Sequence, residues 1–319
     1  MATVEQIKAL IKAHYDDNDE QFKVVALQIA AHEARLGHSK SAQDIKNIIN
    51  SPLNKRSNIL RISTQNQALN LEYPKYRKED LVLDDSLFER IERILREYRC
   101  RDVLRKNGLK NRSKLLLEGE PGTGKTMTAS VIANELKLPL FSVQPDRLIS
   151  KYMGETSVKL KTIFDQINDT RGVYLFDEFD AIGADRTYDN DVGEMRRILN
   201  SLLQYIEADD SNSIIIAATN NADMLDKALF RRFDEVLAYH LPDKHQIKEL
   251  LKKNLDGFLS SDVLDPEVID EALGLNHAEI VKACDNAMKE SILNEQIIDK
   301  KMMINALNER KRIARYKEA

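Results

Sequence analysis

The run Gly119-Glu120-Pro121-Gly122-Thr123-Gly124-Lys125-Thr126 narrows the folds open to this chain more than any other stretch. It follows an apolar, strand-like segment, Leu115-Leu116-Leu117, and opens at Met127 into a helical pattern that runs to Leu136. A strand, a glycine loop and a helix in that order make a phosphate-binding loop. Glycines let the backbone curl so that several N–H groups converge on one anion at the positive end of the helix. Gly119 to Met127 is therefore the candidate nucleotide cradle. Lys125 would reach the β- and γ-phosphates, and the Thr126 hydroxyl would hold Mg²⁺. The bland alternative is a glycine turn before an ordinary helix, and the complete motif in its strand-to-helix setting argues against it. Such a loop implies an α/β fold and a nucleoside triphosphate. It is silent on what the energy does.

The pattern around the loop divides the chain into segments. Residues 1–50 read as three short helices forming a small bundle, with Val4, Ile7, Leu10 and Ile11 on one face of the first and Phe22, Val25, Ile29 and Ala30 on the second. Ile45, Ile48 and Ile49 mark the third. A bundle of this size is marginal alone, which suggests a docking module for a partner or substrate. Residues 51–80 lose periodicity around Pro52 and Pro74 and read as a linker. Over residues 81–241 strands alternate with helices, and the middle strands are apolar on both faces, as in a parallel sheet covered by helices. Residues 242–319 return to helical spacing, broken at Gly257, Asp265-Pro266 and Gly274.

Composition excludes several classes. At 319 residues, with 42% hydrophobic and 31% charged residues, the chain suits a soluble globular protein. A net charge of −4 gives no general argument for nucleic acid or anionic membranes. No apolar run approaches a membrane span, and the first residues lack the basic-then-apolar pattern of a signal peptide, so the expected compartment is the cytosol. Cys100 and Cys284 stand far apart, which indicates neither a disulfide framework nor a cysteine zinc site; both read as helix residues.

Downstream, the apolar strand Val173-Tyr174-Leu175-Phe176 delivers Asp177 and Glu178 to its carboxyl end. Asp177 would support Mg²⁺ through water, and Glu178 would polarise the attacking water as general base. An acidic pair after a strand is common by chance. Behind a phosphate loop it becomes specific.

At these residues the chain resembles the AAA family of AAA+ ATPases. Asp177-Glu178-Phe179-Asp180-Ala181-Ile182-Gly183 is similar to that family's extended acidic motif, and Ala218-Thr219-Asn220 to the end of its next strand. The resemblance covers roughly Leu81 to Lys289. It implies a P-loop AAA+ module with a parallel five-stranded sheet, flanking helices and a helical lid, binding ATP and Mg²⁺ and hydrolysing ATP. It makes Asn220 the first sensor, at the γ-phosphate and the hydrolytic water. The segment Asp226 to Asp234 resembles the family's arginine-finger segment. Arg231 and Arg232 stand adjacent, as in the katanin and spastin group, and would act on the neighbouring subunit's nucleotide.

Ser150-Lys151-Tyr152-Met153-Gly154-Glu155 resembles the first pore loop, whose Lys151, Tyr152, Met153 and Gly154 would line a channel and grip an extended polypeptide. Arg186 to Gly193 would also face the channel, and Glu194, Arg196 and Arg197 would couple subunits. Gly274-Leu275-Asn276-His277-Ala278-Glu279-Ile280 resembles the turn that packs near base and ribose, which places His277 and Ala278 at the nucleotide. Here His277 departs from the usual glycine, and its bland reading is a solvent-exposed residue at a helix start. No arginine stands there as a second sensor. The Asp-x-Gly-Gly element that contacts adenine in many relatives has no counterpart around Glu79 to Asp84.

The resemblance implies a homo-hexameric ring motor that unfolds, translocates or remodels protein substrates. Two rivals stay open: a nucleic-acid loader or helicase accessory, sustained by the basic linker and by Lys300-Lys301 and Arg310-Lys311-Arg312, and a nucleotide-gated scaffold with little turnover. Against the first stand the Tyr152-Met153 tip and the missing second-sensor arginine, and against the second the intact Glu178. Some stand-alone bacterial AAA proteins that this chain resembles are encoded beside a subtilisin-like protease, sometimes in phage-defence settings, so a separate protease partner is a further expectation. The ending Tyr316-Lys317-Glu318-Ala319 lacks the hydrophobic–Tyr–any signal by which proteasomal ATPases dock.

Overall fold

A computed structural model describes residues 4–15, 19–35, 38–50, 68–148, 155–179, 192–221, 230–258 and 262–318. Contacts divide the chain into two compact units, Met1–Gln65 and Asn66–Ala319. Among the described residues the first unit holds three helices, α1 (Val4–Tyr15), α2 (Asp19–Arg35) and α3 (Ser39–Asn50), as the apolar spacing of the sequence indicates. Ala26, Ala30 and Ala42 are buried, and such small side chains let α2 and α3 approach closely.

In the second unit six strands form one sheet among the described residues: β1 (Leu69–Glu72), β2 (Lys114–Gly119), β3 (Leu140–Val143), β4 (Val173–Phe176), β5 (Ile214–Thr219) and β6 (Glu235–Tyr239). Their spatial order is β1-β3-β4-β5-β2-β6. Strands β2 to β6 are mutually parallel, as the family resemblance implies, and β1 adds an antiparallel edge against β3, with Leu69 opposite Val143 and Glu72 opposite Leu140. The sheet is therefore mixed, and β1 arises in the stretch read as a linker. Only Leu69 and Leu71 alternate there, which is enough for a short edge strand buried on one face.

Helices cover both faces. They are α4 (Asp85–Arg99), α5 (Arg101–Lys106), α6 (Lys125–Leu136), α7 (Pro145–Leu148), α8 (Glu155–Asp169) and α9 (Val192–Ala208). Leu115 and Leu117 of β2 face a core with Leu87, Ile91, Ile94, Leu95 and Tyr98 of α4 and Ala129, Ile132 and Ala133 of α6. Those α4 positions repeat at helical spacing and make one apolar stripe. Each such side chain contributes about 1.5–3 kcal/mol on burial. Asp84 sets the start of α4 by accepting the Leu87 N–H at 2.9 Å. On the opposite face Phe164 of α8 stacks on Phe176 of β4 at 6.1 Å and on Tyr205 of α9 at 5.0 Å. Both faces of the central strands are thus dry, which is why they read as continuous apolar runs.

The remaining helices are α10 (Lys244–Asn254), α11 (Pro266–Ala272), α12 (His277–Asn294) and α13 (Lys300–Glu318). They close around a separate core of Ile247, Leu251, Val268, Ile280, Met303 and Leu307, hereafter the lid. Cys284 is buried there, and burial pushes its thiol up to about 12. Cys100, by contrast, is exposed at the turn joining α4 to α5. Val82, which precedes α4 in the chain, packs into the lid core instead of the sheet core. Lys253 of α10 reinforces this by donating to the Glu79 carbonyl. Val82 and the Glu79 carbonyl are therefore held from the lid, while Leu83 packs against the sheet core. Among the described residues no helix is long and apolar enough to cross a membrane.

Candidate nucleotide site

Strand order explains how distant motifs meet. In the sheet β4, β5 and β2 are consecutive neighbours, with Phe176 opposite Ala217 and Leu117 opposite Ala218. Their carboxyl ends are therefore level, and the three segments that follow them emerge side by side. In open parallel sheets that edge is where ligands bind. Here it carries the loop after β2, Asp177-Glu178 after β4 and Asn220 after β5.

The loop after β2 is built to present nitrogen. Lys125 is only 6% exposed, and its ammonium donates to the carbonyls of Gly119 at 2.7 Å and Glu120 at 2.9 Å. Thr123 Oγ1 donates to the Glu120 carbonyl at 2.7 Å, pinning the same turn. A buried cation that donates to two neutral backbone carbonyls is well placed to exchange them for an anion. Gly119 itself has φ 143°, and a Cβ there would stand 2.9 Å from Tyr239 Cβ and closer still to the Tyr239 carbonyl oxygen of β6. Gly119→Ala is thus expected to lower stability by about 2 kcal/mol or more, through backbone strain and overpacking. Urea unfolding of the purified variant measures this.

The Thr126 hydroxyl donates to Asp177 Oδ2 at 2.7 Å. A hydroxyl and a carboxylate held together at a phosphate loop are the hard oxygen donors that Mg²⁺ prefers, so the residues fit that ion. Glu178 sits at φ 50°, in the left-handed region, and its N–H donates to Asp177 Oδ1 at 2.9 Å. This local bond holds the unusual backbone and leaves the Glu178 side chain exposed at the cleft.

These groups line one cleft of about 890 Å³ between the sheet edge and the lid. Pro121 to Met127, Asp177, Glu178, Asn220, His277 and Ala278 all contribute to its wall. His277 is not the solvent-exposed helix-start residue of the bland reading. Burial pushes its pKa down and outweighs the upward pull of the Val82 backbone, so the ring is neutral at pH 7. Among the described residues neither ring nitrogen completes a hydrogen bond.

Several wall residues were not signalled by any motif. Lys75 and Tyr76, which follow β1, line the cleft, as do Leu81, Val82 and Leu83. So do Leu250, Lys253, Asn254, Val281 and Lys282 from the lid. The stretch lacking an Asp-x-Gly-Gly element therefore still walls the cleft. The sequence signal that could have found it is the apolar run Leu81-Val82-Leu83 just before the cap of α4.

The arginine pair lies elsewhere. Arg231 is exposed, and neither it nor Arg232 lines this cleft; Arg232 pairs with Glu207 of the same chain at 2.6 Å. Lys151, Tyr152, Met153 and Gly154 fall outside the described residues, as does Arg186 to Asp191 of the second loop.

Residues 115–241 match the model of the family described as "ATPase family associated with various cellular activities (AAA)". The chain is 33% identical over 306 residues to an uncharacterised AAA family ATPase, y4kL, of Sinorhizobium fredii, covering 93% of this chain and 91% of that protein. It is 37% identical over 145 residues to a putative 26S proteasome regulatory subunit homologue of Methanothermobacter thermautotrophicus, covering 44% of this chain and 39% of that one. Among solved structures the FIGL-1 AAA domain superposes with a TM-score of 0.60 at 21% identity, over 76% of this chain and 85% of that one. At that identity the last match speaks to the fold alone.

Proposed function

The chain belongs to the AAA family of ATPases, and from that premise we propose that it is a ring-forming motor whose ATP hydrolysis unfolds, translocates or remodels protein substrates. The observation that carries the nucleotide chemistry is the convergence of Lys125, Thr126, Asp177, Glu178 and Asn220 on one cleft. Lys125 exchanges the Gly119 and Glu120 carbonyls for β- and γ-phosphate oxygens. Thr126 and Asp177 would hold Mg²⁺, which when bound neutralises charge on the phosphates. Glu178 takes a proton from the attacking water onto its free carboxylate, and Asn220 orients that water by hydrogen bonding. The wall of Leu81 to Leu83, His277 and Ala278 encloses base and ribose.

Arg231 and Arg232 serve a neighbouring copy in a homo-hexamer. Their position outside the cleft of their own chain supports this. The Arg232–Glu207 pair is no obstacle, because a surface pair of this kind is worth only about 0–1 kcal/mol and is readily exchanged for a phosphate. The segment Lys151 to Gly154 is the substrate-gripping tip, residues 1–50 dock substrate or partner, the stretch between them and β1 links, and 242–319 act as the lid on the module that β1 opens. Likeness to a putative proteasome regulatory subunit homologue supports a protein substrate, and a separate protease is proposed as a partner of the ring.

The test is Tyr152→Ala, assayed on an unfoldable reporter protein. Basal ATP hydrolysis should persist while substrate processing is lost. Normal processing by this variant would sink the translocation reading, and ATPase stimulation by DNA in the parent would favour the nucleic-acid rival instead.

A further inference from the structure

We infer that Asn276 is a positioning residue that fastens the phosphate loop to the lid, so that filling the loop and moving the lid are one coupled event. The inference rests on the nucleotide-site reading above. Gly122, near the crown of the loop at φ 76°, lies directly against the Asn276 side chain. A Cβ on Gly122 would stand 2.8 Å from Asn276 Cγ, 2.8 Å from its Oδ1 and 2.9 Å from its Nδ2. The whole amide plane therefore covers the one face that only glycine leaves open. Beside it the Ala278 N–H donates to the Gly122 carbonyl at 3.0 Å.

The Asn276 amide cannot swing clear of this contact without loss. Its Oδ1 caps α12 by accepting the Glu279 N–H at 2.8 Å. α12 in turn is tied into the lid: the nearly buried Glu279 carboxylate accepts from Arg310 Nε at 2.6 Å and from Lys282 at 3.3 Å. A continuous set of contacts thus runs from the loop backbone to the lid core. At the other end of the same loop the Gly119 and Glu120 carbonyls hold Lys125. When phosphate displaces those carbonyls, the loop backbone readjusts while Gly122 is held from the lid side. The lid carries the adjustment, and with it Val82, which packs in the lid core and walls the cleft.

Cap and fastening are separable by chemistry. Serine caps a helix as well as asparagine does but is too short to cover Gly122, whereas alanine does neither. The experiment uses the full chain carrying Glu178→Gln, so that ATP binds without turnover. One fluorophore sits on the exposed Cys100 and its partner on Leu293→Cys, a lid position 82% exposed. In this parent, ATP should change the energy transfer between core and lid.

With Asn276→Ser the urea midpoint should stay at the parental value, ATP affinity should fall about fivefold or more, and the ATP-induced change should shrink by a similar factor. Asn276→Ala should show the same two losses together with a lower urea midpoint. Parental affinity and a parental energy-transfer change in Asn276→Ser overturn the inference. A parent that does not bind ATP overturns the nucleotide-site reading and the inference with it, so the two failures are told apart.

Discussion

Glu178→Gln is expected to bind ATP as tightly as the parent and to hydrolyse it about 10²–10⁴-fold more slowly, the range a positioned general base supplies. The substitution keeps size and shape and removes only the ability to take a proton. Among the described residues that carboxylate makes no hydrogen bond or ion pair on which the fold depends. Its side chain is exposed at the cleft, and the left-handed backbone at this position is held by the main-chain N–H bonded to Asp177 Oδ1. Glutamine makes that same backbone bond, so folding and nucleotide binding should be untouched. Phosphate release in single-turnover mixing measures the rate, and equilibrium titration with ATP measures the affinity. A rate within threefold of the parent would take the base role away from Glu178, and a lost affinity would mean that the residue shapes the cleft.

Lys125→Met should have two effects at once. Removing one partner of a desolvated charged hydrogen bond costs about 2–5 kcal/mol, which is about 30-fold to several thousand-fold in ATP affinity. Methionine matches the length of the lysine stem and fills the same buried space, so the loss reports charge and not a cavity. The second effect falls on the empty protein. The Gly119 carbonyl of a half-buried residue loses its ammonium donor at 2.7 Å, while the Glu120 carbonyl keeps the Thr123 hydroxyl, and an acceptor left unsatisfied costs about 1–3 kcal/mol. The variant should therefore unfold at lower urea even without nucleotide, and ATP should no longer raise its midpoint. Parental affinity would remove Lys125 from phosphate binding. Parental stability would mean that water replaces the ammonium at those carbonyls.

The parts of the site legible in the sequence are those whose chemistry needs consecutive residues of particular types. A phosphate loop cannot be dispersed along a chain, because converging backbone N–H groups belong to neighbouring residues, and Gly119 to Thr126 therefore stands out. Asp177-Glu178 and Asn220 were legible for a related reason: each ends an apolar strand buried on both faces. The walls of the cleft left no comparable trace. Leu81 to Leu83 contribute to it beside lid residues remote in sequence, and no residue type is demanded by that role. β1 was missed because a four-residue edge strand, half-exposed along most of its length, has too few alternating positions to rise above a linker.

The sequence by itself determined that this chain carries a nucleotide-hydrolysing loop, a parallel sheet to mount it and a helical region behind it. Those properties are written in local chemistry and in hydrophobic period. Only the tertiary structure decided which strand ends adjoin, through the order β1-β3-β4-β5-β2-β6, because pairing depends on the crossovers and not on any one strand's residues. It alone decided that Val82 packs with the lid, that His277 is half-buried, that Arg232 rests on Glu207, and that Asn276 lies over Gly122. Each of these is a contact between residues far apart in the chain. Such contacts are selected by the packing of whole elements, which no single stretch of sequence encodes.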